Sequence, residues 1–577
     1  MPDSATQRPW LKYYSDMPAD INVPQINLYE MFAASAAKHP DNNAIAFMGT
    51  VITYRQLLAE IDNCAAAFAA LGAQAGDSAT LVLPNIPNTP ILFYALNKLG
   101  VRTALAHPLS SAPELAHYLE VTGSKWAVTV DMFYEKFREA VGGSDVEKLI
   151  ITHIPDYLSP LLKAGFKVTK GRKIAAVPKT DELVIAWKDF LAGAPKVAAT
   201  AVPYRRPQRP EDGAVVLFSG GTTALPKGIE LSSFAFNALY ESVHLMTGLS
   251  ETDSVLTIMP LFHGFGLGLC IHTTLSTGAL SILVPEVNAK SYIDNLLKYH
   301  PTFIPGVPTL FESLLRHPGL DKVRFDNLVG AYSGGDSLTA DLKRRFDARI
   351  KAQGSQVELL EGYGLTETVT VCVLSPQHNY RDNSMGIPQP GMLVKIVAPD
   401  TSDELPYGET GEICVTGPTL MNRYLGDPEA TANTLRTHPD TLVWCHTGDI
   451  GSMDSDGYLY FINRLKRIIK VSGVAVYPMQ VEQVLEDHPL VDRACVIGVP
   501  DDYQMARVRA YVIPAAGVVA DEAAKELLLT HCQQQLNRWS TPRELQFRDD
   551  LPRTLVGKID YRALEREAAG EVDTAAS

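Results

Sequence analysis

At 577 residues with 46% hydrophobic content, the chain can bury a large core and more than one domain. Its formal net charge of −14 argues against non-specific nucleic-acid binding, which needs a basic face; a polyphosphate partner would need positive charge concentrated at its site. Seven cysteines stand singly, with no CxxC and an odd count, which fits a reducing cytosol rather than a disulfide framework or a zinc site.

The N-terminal "MPDSATQRPWLKYYSDMPAD" carries charges and prolines where a signal peptide would need an apolar core. From about Leu28 to Thr129, helix-like stretches ("LYEMFAASAAKHP", "LLAEIDNCAAAFAALGA") alternate with strand-like ones ("NAIAFMG", "DSATLVLPN"). That alternation predicts parallel α/β layers. Ile150 to Pro203, with its Lys/Gly/Pro clusters, reads as an irregular excursion over the surface. Alternation resumes from Gly213 to about Thr370. Within it, the apolar "GLGLCIHTTLSTGALSILVP", Gly266 to Pro285, contains His272, three threonines and two serines. It reads as a buried helix running into a strand, not as a membrane span. The chain is therefore expected to be cytoplasmic with no transmembrane segment, which leaves peripheral membrane contact open. The Gly/Pro-rich "MGIPQPGMLVKIV…ELPYGETGEICVTGP" predicts short strands in a small barrel or sheet. Arg467 to about Glu567 has its own helices and strands, enough for a small α+β domain, and "EREAAGEVDTAAS" reads as a polar tail without a lipidation or peroxisomal signal. The expected division is 1–463, a join at 464–466, a small domain 467–567 and a tail 568–577.

"FSGGTTALPKG", Phe218 to Gly228, combines hydroxyls of Ser219, Thr222 and Thr223, backbone donors and the cation Lys227, the parts for wrapping a polyphosphate. The Walker pattern fails here, because Pro226 precedes the lysine and Gly228 occupies the place of the magnesium-holding hydroxyl. Further motifs follow in order: "PLFHGFG", "YSGGDSL", "EGYGLTET", "HTGD", "NRLKRIIKVSGVAVYP" and "PRTLVGKID". Together they resemble the adenylate-forming superfamily, which includes acyl-CoA synthetases, over about Pro9 to Glu567. Ala224 departs from the family, which usually has Gly there. The resemblance implies an α/β fold: a large N-terminal domain of two α/β layers plus a small β-barrel, and a small, mobile α+β C-terminal domain.

It also implies a chemistry. The family activates a carboxylate by attack on the α-phosphate of ATP, expelling pyrophosphate; a thiol, here CoA, then displaces AMP. An anion meeting a polyanion needs cations, and the resemblance implies Mg2+ held by Glu367, a hard oxygen ligand. Thr366 matches a phosphate contact and Tyr363 the ring stacking on adenine, in a motif whose Glu361, Gly362 and Gly364 are also expected at the nucleotide. Gly334 and Gly335 would let backbone approach the adenine. Asp449 and Arg464 match ribose contacts. Lys558 matches the catalytic lysine bridging carboxylate and α-phosphate, Lys466 the pivot of the small domain, and Lys470 with Gly473 the segment used in thioester formation. His263 is expected between the acyl pocket and the arriving thiol, as a steric and positioning group; a lone His beside an apolar run is otherwise a core residue.

"PLFHGFG" lacks the Asp that an amino-acid-activating domain uses to pair the substrate ammonium, and burying an ammonium unpaired is costly. An apolar acid is expected. "ITHIPDYLSPLLKAGFKV" is similar to segments of bacterial long-chain fatty-acyl-CoA ligases, and no carrier domain follows, so free CoA is the expected acceptor. An aryl- or other organic-acid CoA ligase, an acyl-AMP ligase loading a carrier protein, and a non-catalytic binding homologue stay open.

Overall fold

The computed structural model describes residues 8–168, 174, 177–178, 180–194, 209–218, 226–472, 474–501, 505–553 and 559–575. Two compact units emerge: Met1–Val394 with Val415–Cys445 and Asp456–Leu459, and Lys395–Cys414 with His446–Ser455 and Tyr460–Ser577. Residues 464–466, expected as a join, fall within the second unit.

The first unit is built on two large sheets. One runs Arg423–Tyr424, Gly228–Ser232, Gly213–Phe218, Arg102–Leu105, Ser78–Val82, Trp126–Val130, Lys148–Thr152, Val184–Ala186. From Gly213–Phe218 onward its strands are parallel. Strands such as "SATLV" and "WAVTV" are buried at every position, as expected for parallel strands covered on both faces by helices. The other sheet has nine strands, with a parallel centre through Asn43–Phe47, Leu280–Leu283, Ser254–Thr257, Phe303–Gly306, Gly330–Gly334 and Leu359–Gly364. Three helices begin on capping boxes, Asn27 with Glu30, Thr53 with Gln56 and Ser111 with Glu114, which satisfy otherwise orphaned N–H groups.

Helix Asn88–Lys98 is buried along its whole length. Its Lys98 lies 2.6 Å from Asp62, the partner that a buried ammonium needs. Because the parallel strands of the first sheet point one way, their C-terminal ends, Phe218 among them, share one edge. Ligands of open α/β sheets bind at such edges.

Two local expectations change. The "excursion" from Ile150 contributes most of strand Lys148–Thr152 and the edge strand Val184–Ala186, since "LIIT" is short enough to be lost among the lysines around it. The apolar run from Gly266 does form a helix leading to strand Leu280–Leu283, but Phe265–Thr273 is a π-helix. Thr273 and Thr274 donate to the carbonyls of Gly268 and Leu269, five residues back, which supports the wider coil.

In the second unit, Val491–Asp501 pairs antiparallel with Met505–Pro514, which pairs in parallel with Glu544–Phe547. One face buries Val481, Leu485 and Leu528; the other buries Leu551, Leu564 and Ala568. Leu564 and Ala568, four residues apart, carry helix Tyr561–Ala575 into the segment expected as a tail. Gly411–Thr416 and Leu459–Arg464 both neighbour Val443–Met453. Among the described residues, no helix is long and apolar enough to cross a membrane.

Candidate active site

Ser219, Thr222 and Thr223 lie outside the described residues, but the loop's far end is defined. Lys227 enters strand Gly228–Ser232, which pairs with Arg423–Tyr424. That pairing brings the Lys227 ammonium 4.8 Å from the Tyr424 ring centroid and 3.2 Å from Asp427. The Ala430 N–H, helped by Lys227, holds the Asp427 carboxyl below its usual value.

The Tyr424 hydroxyl donates to Glu367 Oε1 at 2.7 Å, and the Met421 N–H donates to the Glu367 carbonyl at 2.7 Å. Burial first, then the Glu367 carboxylate, pushes the Tyr424 phenol up, so it remains a donor. Lys227 and Glu367, 140 residues apart in sequence, thus meet through one tyrosine.

Glu367 sits in the single turn Thr366–Thr368, followed by Val369 at φ 64, ψ −58. The Thr370 N–H donates to the Thr368 carbonyl at 2.7 Å, which makes Val369 the centre of a strained γ-turn. A β-branched residue with positive φ is an outlier, and such strain persists only where surroundings enforce it. They do here. A Cβ on Gly264 would lie 1.7 Å from the Val369 carbonyl oxygen, and one on Gly364 1.5 Å from that of Thr370.

Gly334 ends strand Gly330–Gly334 and Gly335 follows it; the strand is in register with Leu359–Gly364 so that Ser333 faces Glu361 and Gly334 faces Gly362. Glu361 is buried; its carboxyl accepts the Leu338 N–H at 3.0 Å and ties the two strands' loops together. Burial pushes its pKa up to about 8, against the lowering effect of that hydrogen bond and with help from Asp336. Tyr363 and Thr366 are half-buried.

A cavity opens beside these glycines. Gly334, Gly335, Gly362 and Gly364 line it together with His263 and Phe265, and Val243, Leu249, Val255 and Phe303 also line it. No Asp, Glu, Lys or Arg is among its described lining residues. The Phe265 N–H donates to His263 Nδ1 at 3.2 Å, so the neutral imidazole carries its proton on Nε2. His263 is therefore wall as well as polar group.

In the second unit, Asp449 is buried in Val443–Met453, and Arg464 Nε lies 3.2 Å from its carboxylate. The turn before it is clamped by Glu412, which accepts from Gly448 N–H at 3.0 Å and pairs with His446 Nδ1 at 2.8 Å. Lys470 is exposed in Ile469–Val471. Lys466 lies in the turn Leu465–Arg467, its side chain not described; Gly473 and Lys558 lie outside the described residues.

The structure thus joins two groups of sequence-identified residues in the first unit and one pair in the second. Tyr424, Asp427 and Glu412 were missed. "NRYLGDPEAT" signals only a helix cap, and Glu412 only a strand residue.

A family profile described as "AMP-binding enzyme" matches residues 32–425, and one described as "AMP-binding enzyme C-terminal domain" matches 480–558. The chain is 31% identical to a long-chain-fatty-acid–CoA ligase of Bacillus subtilis, covering 97% of this chain and 98% of that one. It is 32% identical to the protein of the same name from Escherichia coli O6:H1, covering 98% and 99%. Among solved structures, ATP-bound MatB from Rhodopseudomonas palustris aligns over 94% of this chain and 99% of its own, with a TM-score of 0.79 and 26% identity. An anthranilate CoA ligase with anthranoyl-AMP, at 22% identity, shares the fold with a TM-score of 0.81 over 97% and 99%.

Proposed function

The chain belongs to the AMP-binding enzyme family, and on that premise we propose that the acid it activates is a medium- or long-chain fatty acid. It is an AMP-forming acid–CoA ligase with ATP and CoA as substrates. A carboxylate oxygen bonds to the α-phosphorus of ATP as pyrophosphate leaves. The CoA thiol, losing its proton, then bonds to the acyl carbon, and AMP departs with that oxygen. A bare carboxylate would have to expel oxide, whereas AMP is a good leaving group.

The observation that carries the substrate proposal is the cavity beside Gly334 and His263, whose described lining has no Asp, Glu, Lys or Arg. An apolar tail loses no solvation there, whereas an ammonium would be left unpaired. The fatty-acid ligase names of full-length relatives support the same reading.

The assignment of roles is part of the proposal. Magnesium, when bound, neutralises the meeting of carboxylate and polyphosphate. Glu367 would hold it as a hard oxygen ligand, its carboxylate oriented by the Tyr424 hydroxyl, and Lys227 would supply further positive charge. Ser219, Thr222, Thr223 and Thr366 contact phosphates, Tyr363 stacks on adenine, and Asp449 with Arg464 holds the ribose. Lys558 serves adenylation; Lys470 and Gly473 serve thioester formation, with Lys466 as pivot. A cytoplasmic site of action accords with seven cysteines that stand singly in the sequence and are all buried.

Purified protein with ATP, CoA and a panel of acetate, octanoate, palmitate and benzoate tests the reading, with pyrophosphate and acyl-CoA followed separately. Octanoate or palmitate should give both products. Turnover confined to acetate or benzoate, or pyrophosphate without acyl-CoA, would overturn it.

A further inference from the structure

Arg423–Tyr424 is an edge strand of two residues, yet it carries the tyrosine on which Lys227 and Glu367 meet. An ordinary strand has about five or six residues, and pairing much shorter than that specifies register weakly. Successive side chains of a strand point to opposite faces, so a slip of one residue would turn Tyr424 away from both partners. The backbone contributes the Asn422 and Leu425 N–H groups, which donate to the Glu230 and Gly228 carbonyls at 2.8 Å each.

The other face supplies a stronger constraint. Glu230 stands directly opposite Arg423 in the ladder, and its side chain is only 5% exposed. Arg423 Nε donates to Glu230 Oε2 at 2.8 Å, and Arg102 Nη1 donates to Oε1 at 2.7 Å. Arg102 is itself fixed, since its Nε and Nη2 donate to Ser78 Oγ at 3.0 and 2.9 Å.

Arg102 lies two strands in from Glu230, and the strand between them begins at Gly213. A Cβ on Gly213 would lie 2.4 Å from the Glu230 carboxyl carbon, so the missing side chain is what lets the glutamate reach across. A buried carboxylate shared by two guanidiniums is costly to leave half-paired. A one-residue slip would set Tyr424 opposite Glu230 and strip that carboxylate of one guanidinium.

We infer that Glu230 and Arg423 are positioning residues for adenylation: their pairing sets the register of Arg423–Tyr424, and with it the face on which Tyr424 meets Lys227 and Glu367. The inference rests on the roles proposed above for Lys227 and Glu367. Neither member of the pair touches substrate; both act through Tyr424.

Arg423→Ala tests this. The Arg423 side chain is 57% exposed and its loss leaves the Glu230–Arg102 pair whole, so the fold should persist. Hydrogen exchange without ATP or acid, read by mass spectrometry over residues 420–427, should be at least about tenfold faster than in wild type. Pyrophosphate release from ATP with octanoate or palmitate at low magnesium should fall about five- to tenfold. In a Tyr424→Phe background the same substitution should cost under about twofold, because the hydroxyl it positions is gone. A residue needed only for stability would cost the same in both backgrounds. Unchanged exchange, or an equal loss with and without the tyrosine hydroxyl, would overturn the inference. A wild type that releases no pyrophosphate with any acid would instead sink the catalytic reading, and exchange alone would then decide whether Arg423 sets the register.

Discussion

Tyr424 holds one oxygen of Glu367 at 2.7 Å while its ring lies under the Lys227 ammonium. If Glu367 holds magnesium, Tyr424→Phe removes the bond that orients the carboxylate and leaves the stacking surface in place. Pyrophosphate release should fall about tenfold at low magnesium, near 1.4 kcal/mol, and recover as magnesium rises. An unchanged metal dependence would remove Tyr424 from the account. Glu361 gives a pH prediction. Its pKa of about 8 lies above that of an unfolded glutamate, so the native state binds the extra proton. The stability this confers is complete below the unfolded value and is lost as pH rises through about 8. Glu361→Gln keeps an acceptor for Leu338 and cannot ionise, so its thermal midpoint should improve relative to wild type from pH 5 to 8; a constant difference would contradict this. Residues that stand within a motif, such as Glu367 and Asp449, could be singled out as candidates from sequence by resemblance. Tyr424 could not, because its partner is 57 residues away and is reached only through strand pairing.

The turn after Glu367 shows what elements add. The parallel strands were legible as short apolar runs, and the helices between them as periodic stretches. The π-helix Phe265–Thr273 was not, since an apolar run punctuated by Gly266 and Gly268 has no period that separates it from an α-helix. Nor was the γ-turn at Val369, which local propensity opposes and packing imposes. Gly264→Ala would set a methyl 1.7 Å from the Val369 carbonyl oxygen, so either the helix entrance or the turn must move. A loss of about 1–3 kcal/mol in stability is expected, as for other overpacked sites. Because His263 precedes Gly264 and Glu367 lies two residues before Val369, adenylation should fall as well. Wild-type stability and turnover in this variant would show that the contact relaxes freely.

For the whole molecule, strand–helix alternation outlined parallel α/β layers and a compact C-terminal fold, and the family resemblance implied two such layers; short strands in the Gly/Pro-rich stretch left the extent of the second unit undetermined. Lys558 and the Lys470–Gly473 segment are proposed to serve different half-reactions from one small domain, which must then turn between them. Such turns are absorbed by a few boundary residues. Lys466→Pro would fix φ near −65° and remove a donor. Pyrophosphate release should stay within about tenfold of wild type, while thioester formation from a supplied adenylate falls at least about a hundredfold, near 2.7 kcal/mol. Normal thioester turnover in a folded variant would place the pivot elsewhere. The central claim, that this chain makes acyl-CoA through an acyl-adenylate, is tested most directly by following carboxylate oxygen. With palmitate labelled in both carboxylate oxygens by heavy oxygen, mass spectrometry of the nucleotide product should find AMP carrying one label and palmitoyl-CoA retaining the other. Unlabelled AMP, or label in ADP or inorganic phosphate, would contradict the account.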